Sequence, residues 1–190
     1  MKIALTFDDG PHPVYTPEIL DILKETGVKA TFFVVGKNAV LYPDILRQTV
    51  KEGHEIGDHT FSHLQANKTP SNLIAGDIQK NREFILEICE YDVGIFRPPG
   101  GAVNTDVIEF ANKMNYKVVL WNVDTKDWTN TSTDKICENV LKNVKSGSII
   151  LFHDYIFKNS PTPDALKFLI PKLRKMGYSF VTVSELLTEN

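Results

Sequence analysis

The chain has 190 residues, of which 42% are hydrophobic and 24% are charged, and its 21 Lys and Arg against 24 Asp and Glu give a formal net charge of −3. This is the composition of a globular protein, expected to form one domain over residues 1–190, and it excludes a disordered or collagen-like chain. No basic run suits nucleic acid, and the longest apolar stretch, SIILF at 148–152, is far shorter than the roughly 18 residues that a membrane span requires.

Short β-rich segments alternate with longer helical patterns in the first half of the chain. We predict strands at 2–7, 29–35, 54–57 and 95–96. Helices are predicted from Thr16-Pro17 to Gly27, at 42–52, and from Thr69-Pro70 onward. Most of the apolar stripe of this last helix is formed by Leu73, Ile74, Ile78, Phe84, Ile85 and Ile88.

The second half continues the same alternation. Helices are predicted at 106–114, at 133–145 and from Thr162-Pro163 to Gly177, with a turn or short helix at 184–188. Strands are predicted at 116–123, 148–152 and 178–183. About seven βα units with nearly continuous apolar strands predict an α/β fold, a parallel sheet covered by helices in a single domain.

Two further features bear on compartment and redox state. Cys89 and Cys137 are too few and too far apart for a disulfide framework or a Cys-rich metal site, so we expect two ordinary thiols. The opening MKIALTFDDG reaches carboxylates at positions 8 and 9, which leaves no room for a signal peptide. We therefore expect a cytoplasmic protein or the mature part of a longer one.

Polar side chains follow the predicted strands at the points where those strands end. In α/β folds this edge of the sheet carries the chemistry. The residues concerned are Asp8, Asp9, His59, His63, Arg97, Asp124, Asp127 and His153.

The pair Asp8-Asp9 directly follows the first strand, and a bound cation would offset the repulsion between the two carboxylates. The alternative is a turn stabilised by an Asp side chain ahead of Gly-Pro.

His59 and His63 are four residues apart, which on a helical turn would place both imidazoles on one side. Two imidazoles and one carboxylate suit Zn²⁺ and leave positions open for water and substrate. His54 belongs to HEIGDH, whose spacing differs from the zinc-protease motif, and is expected to be structural.

Three later positions each allow a functional and a structural interpretation. Arg97 could hold a carboxylate bidentately, and the glycines after it would let backbone N–H groups approach a substrate oxygen. The structural alternative is a surface turn with a solvated Arg. Asp127 and Trp128 offer an acid beside an indole, or else a loop carboxylate and a core Trp. His153 is well placed as a proton donor after the most apolar strand, although a lone His is often structural.

Five motifs in this order resemble the polysaccharide deacetylase family, the NodB-homology domain of carbohydrate esterase family 4. They are TFDDGP at 6–11, GHEIGDHTFSH at 53–63, FRPPGG at 96–101, DTKDW at 124–128 and LFH at 151–153. The resemblance spans nearly the whole chain and implies a distorted (β/α) barrel, with residues 1–190 forming the catalytic domain.

The resemblance also implies roles for individual residues in catalysis. Asp8 matches the family's catalytic base, and His153 matches its general acid. Arg97 matches the arginine that pairs with the base, while Asp127 matches the acid that orients the catalytic histidine.

The implied metal ligands are Asp9, His59 and His63. The expected cofactor is a divalent metal, Zn²⁺ first, with Co²⁺ or Ni²⁺ as alternatives. Leu151 and Trp128 match apolar walls around the acetyl methyl group.

The chain departs from the family's pattern at two positions. Gly100 stands where the family usually has a large aromatic residue whose backbone N–H helps to bind the oxyanion. The N–H is retained, but one aromatic wall of the substrate groove is missing. Asp58 stands where Asn is common beside a metal ligand, and its charge either matters there or faces solvent.

The expected function is metal-dependent hydrolysis of N-acetyl groups on N-acetylglucosamine-type residues of a polysaccharide, either peptidoglycan or chitin-like oligomers. The alternatives are an O-acetyl xylan esterase that uses the same site and a carbohydrate-binding module without turnover. A dehalogenase-like phosphohydrolase would need D-x-D where the chain has Asp8-Asp9-Gly10. The expected partner is the acetylated polysaccharide alone, bound by a monomer, and the family resemblance implies an extracellular or cell-wall location.

Overall fold

Eight parallel strands form the sheet at the centre of the computed structural model, which describes residues 1–129, 131–155 and 159–188. The strands are β1 (Lys2–Asp8), β2 (Thr31–Val34), β3 (Glu55–Asp58), β4 (Ile95–Phe96), β5 (Lys117–Val118), β6 (Val123–Asp124), β7 (Ile149–His153) and β8 (Ser179–Phe180). Their order is β5-β4-β3-β2-β1-β7-β6, and β8 pairs with the first residues of β1. The protein has the predicted α/β architecture, a distorted (β/α) barrel in a single domain.

The helices alternate with these strands along the chain. They are α1 (Tyr15–Thr26), α2 (Gly36–Leu41), α3 (Pro43–Lys51), α4 (Ser71–Cys89), α5 (Thr105–Lys113), α6 (Thr133–Asn143), α7 (Thr162–Lys175) and α8 (Val183–Thr188), with a 3₁₀ turn at Pro99–Gly101. Gly27 ends α1 in the left-handed conformation, at φ 62°, as the sequence predicts. Among the described residues, no helix is both long and apolar enough to cross a membrane.

The side chains of β1 alternate between two cores. Ile3, Leu5 and Phe7 belong to the large core between the sheet and the helices, whereas Ala4 packs with Phe33 in a smaller core that α8 also joins. The Phe7 ring stacks on Phe32 and Phe152 of the flanking strands, with centroids 4.9 and 5.7 Å apart. This aromatic row lies one residue before the carboxyl ends of β1 and β7, so the residues that follow are held on a rigid base.

The strand predicted at 116–123 is interrupted. Only β5 and β6 pair with neighbours, and 119–122 between them is not in the sheet. Arg97 holds this segment, because its Nε and Nη2 donate to the carbonyls of Val119 and Leu120 at 3.3 and 3.2 Å. Among the described residues no pairing joins β5 to β6, and the barrel is open there.

Three helix predictions also need correction. The segment predicted at 42–52 is α3. Helix α2 was not predicted, because its six residues are too few to show a helical period. The helix predicted from Thr16 begins at Tyr15, so Thr16 lies inside α1, where its hydroxyl donates to Asp154 Oδ2 at 2.6 Å. Leu73, placed in the apolar stripe of α4, is 55% exposed, whereas the next residue, Ile74, is buried.

Candidate active site

The carboxyl ends of the strands surround a cavity of about 490 Å³. Loops that follow β1, β3, β4, β6 and β7 supply its walls. The lining residues are Asp8, Asp9, His59, His63, Gln65, Gly100, Trp121, Asp124, Trp128, Leu151, His153 and Tyr155. Of the residues singled out in the sequence, Arg97 and Asp127 lie behind the cavity wall, each in contact with a lining residue.

A buried ion pair joins Asp8 to Arg97. Arg97 Nη1 lies 2.7 Å from Asp8 Oδ1, and both side chains are almost fully buried. Burial lowers the pKa of Arg97, and the Asp8 carboxylate opposes that shift. The expected bidentate contact is not formed, because the same Nη1 also donates to Thr6 Oγ1 at 2.8 Å and the other guanidinium nitrogens bond backbone carbonyls. The guanidinium is thereby held on all sides, and it orients Asp8 at the base of the cavity.

Asp9, His59 and His63 form a compact cluster beside this pair. Asp9 Oδ1 lies 3.3 Å from His59 Nε2 and 3.1 Å from His63 Nε2. One ligand atom from each residue lies within 4.8 Å of the other two. Burial alone would raise the pKa of Asp9, but the two imidazoles hold it well below its usual range.

This cluster has the donor chemistry of a divalent metal site. Asp9 Oδ1 is buried and accepts no hydrogen bond from the described residues, which is costly unless a cation satisfies it. His59 Nδ1 lies 2.7 Å from the carbonyl oxygen of Arg97, so the Nδ1–H tautomer leaves the lone pair of Nε2 free on the Asp9 side. A carboxylate and two neutral imidazoles are the kind of ligand set that Zn²⁺ takes in catalytic sites.

The two histidines do not lie on a helical turn, contrary to the expectation from their spacing. Residues 59–63 form a loop in which Thr60 and His63 have left-handed backbone conformations, at φ 63° and 59°. The imidazole rings nevertheless meet, with centroids 5.2 Å apart. The loop therefore brings the two rings together without helical geometry.

Asp58 is fully buried behind this loop, which excludes the alternative that its charge faces solvent. Its carboxylate accepts hydrogen bonds from Thr60 N–H at 2.8 Å, from Asn81 Nδ2 at 2.8 Å and from the Tyr116 hydroxyl at 3.1 Å. Burial raises the pKa of Asp58 to about 7 against the opposing effect of these hydrogen bonds. Asp58 thus anchors the backbone between the two histidines, and it does not line the cavity.

His153 and Asp127 form the second pair of the site. His153 Nδ1 lies 2.8 Å from Asp127 Oδ1, and Asp127 Oδ2 accepts from His153 N–H at 2.8 Å and from Thr162 Oγ1 at 2.6 Å. Burial would lower the pKa of His153, but the hydrogen bond and charge of Asp127 raise it to about 9. With Nδ1 bonded to Asp127, Nε2 is the nitrogen left to exchange a proton with a ligand.

The apolar walls differ in exposure. Leu151 is buried at the base of the cavity, whereas Trp128 is 58% exposed at its rim. This exposure excludes the structural alternative, in which Trp128 would be a core residue. Gly100 lines the cavity with its backbone in the left-handed region, at φ 65°.

Three lining residues were missed by the sequence analysis: Gln65, Trp121 and Tyr155. Trp121 falls within the segment predicted as a strand, and its ring lies over Gly101, where a Cβ would approach it to 2.9 Å. Tyr155 lies two residues after His153, and its ring contacts that of His12 edge-on. Proximity to a motif histidine is the one signal that could have found Gln65 and Tyr155.

Three residues that were not expected to take part in the site lie outside the cavity. His54 is 4% exposed, its Nδ1 accepts from Ala30 N–H at 3.3 Å, and burial lowers its pKa to about 4. Cys89 and Cys137 are free thiols.

A buried carboxylate, an imidazole paired with a carboxylate and three candidate metal ligands meet at one cavity, and metal-assisted hydrolysis uses groups of these kinds. The chain belongs to the polysaccharide deacetylase family, whose model matches residues 1–119. A peptidoglycan-N-acetylglucosamine deacetylase of Bacillus cereus is 44% identical over 187 residues, 97% of this chain and 87% of that protein.

Solved structures agree with this assignment. A peptidoglycan N-acetylglucosamine deacetylase in complex with 4-naphthalen-1-yl-N-oxidanyl-benzamide superposes with a TM-score of 0.94 at 40% identity, over 97% of this chain and 87% of that one. A family 4 acetyl xylan esterase from Clostridium thermocellum, in complex with a cobalt ion, gives a TM-score of 0.92 at 35% identity over 99% and 91% of the two chains.

Proposed function

We propose that residues 1–190 form the catalytic domain of a metal-dependent polysaccharide deacetylase that hydrolyses N-acetyl groups on N-acetylglucosamine-type residues. The observation that carries this proposal is the juxtaposition of two pairs and one cluster. The Asp8–Arg97 pair, the His153–Asp127 pair and the cluster around Asp9 meet at one cavity.

The metal would be held by Asp9, His59 and His63, with Zn²⁺ favoured by the ligand set and Co²⁺ or Ni²⁺ as alternatives. When bound, such a cation would make a water molecule more acidic and polarise an acetyl carbonyl. The buried Asp9 oxygen without a hydrogen-bond donor supports this assignment.

Asp8 acts as the general base in this proposal. It accepts a proton from the attacking water, while Arg97 supplies the counter-charge and orients the carboxylate. The backbone N–H of Gly100 is assigned to the oxyanion that forms on the acetyl carbon, where one such donor contributes about 3–4 kcal/mol.

His153 acts as the general acid. An amide nitrogen is a poor leaving group unless it is protonated, and the raised pKa of His153, about 9, gives an imidazolium that can donate from Nε2 at neutral pH. Asp127 orients the ring and balances its charge. Leu151 and Trp128 would enclose the acetyl methyl group between the two catalytic pairs.

Peptidoglycan is the favoured substrate, with chitin-like oligomers next, because the relative from Bacillus cereus is a peptidoglycan-N-acetylglucosamine deacetylase. Action at the cell wall or outside the cell follows from this substrate. We expect the protein to act as a monomer, since all the proposed groups come from one chain.

The second candidate is an O-acetyl xylan esterase that uses the same residues. The exposed Gly100 favours it, because residue 100 itself adds no side chain to the cavity, and a similar structure is that of an acetyl xylan esterase.

Acetate release from chitooligosaccharides, peptidoglycan and acetylxylan tests both candidates. Each substrate is assayed after dialysis against a chelator and again after addition of Zn²⁺ or Co²⁺. We expect acetate from the amide substrates only when metal is present. Release from acetylxylan alone would support the esterase, whereas sugar binding without acetate release would support a module without turnover. Activity that survives exhaustive chelation would refute the metal site.

A further inference from the structure

Gln65 lines the cavity beside the proposed metal ligands, yet none of the chemistry above uses it. Its side chain is half-buried. Over the described ranges, its amide group has no hydrogen-bond partner in the protein. An amide that lines a cavity and is not used by its own chain is available to a ligand.

The backbone around Gln65 is anchored although its side chain is not. Leu64 N–H donates to Thr60 Oγ1 at 3.1 Å, and Lys68 N–H donates to the carbonyl of Gln65 at 3.0 Å. Thr60 belongs to the loop between the two proposed histidine ligands. The backbone of Gln65 is thereby fixed relative to the proposed ligands His59 and His63. This reduces the conformational entropy that is lost when the Gln65 amide binds a ligand.

Gln65 occupies the volume next to Gly100. A Cβ built on Gly100 would lie 3.3 Å from Gln65 Nε2 and 3.8 Å from its Cδ. A large side chain at position 100 would therefore have to displace the amide. Gly100 also has a φ of 65°, a conformation that residues with a side chain disfavour. The Gln65 amide is therefore the polar group next to Gly100 at this part of the cavity.

We propose that Gln65 is a substrate-binding residue whose amide hydrogen-bonds a hydroxyl group of the sugar that carries the acetyl group. This inference rests on the proposed function. A primary amide offers two donors and one acceptor oxygen, so it can match a hydroxyl that both donates and accepts. The groove of this chain would then hold the sugar at this point by hydrogen bonding, whereas an aromatic ring would hold it by stacking.

The test compares Gln65→Met, which keeps the length of the side chain and removes its hydrogen bonds, with the wild type. Asn67→Ala, an exposed change two residues further along the same loop, is the control. We expect Gln65→Met to raise KM for N-acetylated chitooligosaccharides about 3–10-fold, the effect of one hydrogen bond, with kcat nearly unchanged. Its activity towards 4-nitrophenyl acetate, which has no sugar hydroxyl, should equal that of the wild type, and Asn67→Ala should change neither substrate.

Calorimetric titration with chitooligosaccharide separates this inference from the proposed function. If the wild type releases no acetate, the proposed function fails, but weaker binding by Gln65→Met than by the wild type still supports the role of Gln65. Equal KM and equal affinity in the two proteins would overturn that role. An equal loss of activity towards the chitooligosaccharide and towards 4-nitrophenyl acetate would also overturn that role, because a structural defect lowers both activities alike. Absence of both acetate release and binding by the wild type would overturn both proposals.

Discussion

Asp8 and His153 are register partners on the neighbouring parallel strands β1 and β7. Each has a partner of opposite charge, Arg97 at 2.7 Å from Asp8 and Asp127 at 2.8 Å from His153. The proposed base and acid are therefore attached to adjacent positions of one sheet, above the aromatic row formed around Phe7. Their separation depends on strand register and not on loop conformation, which is the rigid support that acid–base catalysis needs.

We expect His153→Ala to lower kcat/KM for an N-acetylated oligosaccharide by about 10²–10⁴-fold, the usual contribution of a general acid. The loss for 4-nitrophenyl acetate should be much smaller, because its phenolate leaves without protonation. Steady-state kinetics on the two substrates measures the difference. If both rates fell by the same factor, His153 would not be the proton donor.

The pH profile should report the raised pKa of His153, about 9. The protonated ring is the donor, so amide hydrolysis should persist through neutral pH and decline as the pH rises through about 9. In Asp127→Asn the carboxylate that raises the pKa is lost, and the decline should move towards the ordinary value of about 6.5. The measurement is kcat against pH for both proteins. An alkaline limb at the same pH in the variant would contradict the role of Asp127.

Removal of one proposed ligand should weaken metal binding by more than the 10–100-fold typical of residues that only support a ligand. His63→Ala is the variant of choice, since His63 is the most exposed member of the cluster and its loss leaves the buried residues in place. Asp124→Asn is the matched control, because Asp124 lines the same cavity outside the cluster. Zn²⁺ titration and the metal content after dialysis give the result, and undiminished binding by His63→Ala would disprove the assignment.

Arg97→Met should destabilise the protein by about 3–5 kcal/mol, because it leaves the Asp8 carboxylate buried without a counter-charge. Adding Asp8→Asn removes that charge, so the double variant should regain part of the lost free energy of unfolding. Urea denaturation of the wild type, both single variants and the double variant forms a double-mutant cycle. Strictly additive effects would show that the ion pair does not couple the two residues.

Much of the fold follows from the sequence because apolar strands and helix-ending glycines have strong local signals. The segment 2–7 is apolar up to Asp8, and Gly27 and Gly177 adopt the positive φ expected of a helix end. The break between β5 and β6 has no such signal. At this break Arg97 donates hydrogen bonds to two distant carbonyls, and such tertiary contacts are invisible to a local pattern.

The site divides in the same way. Polar residues directly after strands, such as Asp8 and His153, could be predicted to converge because parallel strands end at one edge. Gln65 and Trp121 could not, since their place in the cavity depends on loop conformations with positive φ at His63 and Gly101. The spacing of His59 and His63 suggested a helix, but the hydrogen bond from Thr60 N–H to Asp58 favours a turn instead.

The guanidinium of Arg97 joins two features that would otherwise be independent. The side chain that orients Asp8 also donates hydrogen bonds to the two carbonyls that follow β5. Loss of this arginine would leave the carbonyls of Val119 and Leu120 without these donors at the same time as Asp8 lost its counter-charge. Among divergent copies of this chain, loss of the oriented Asp8 carboxylate and loss of support for the segment 119–122 should therefore occur together.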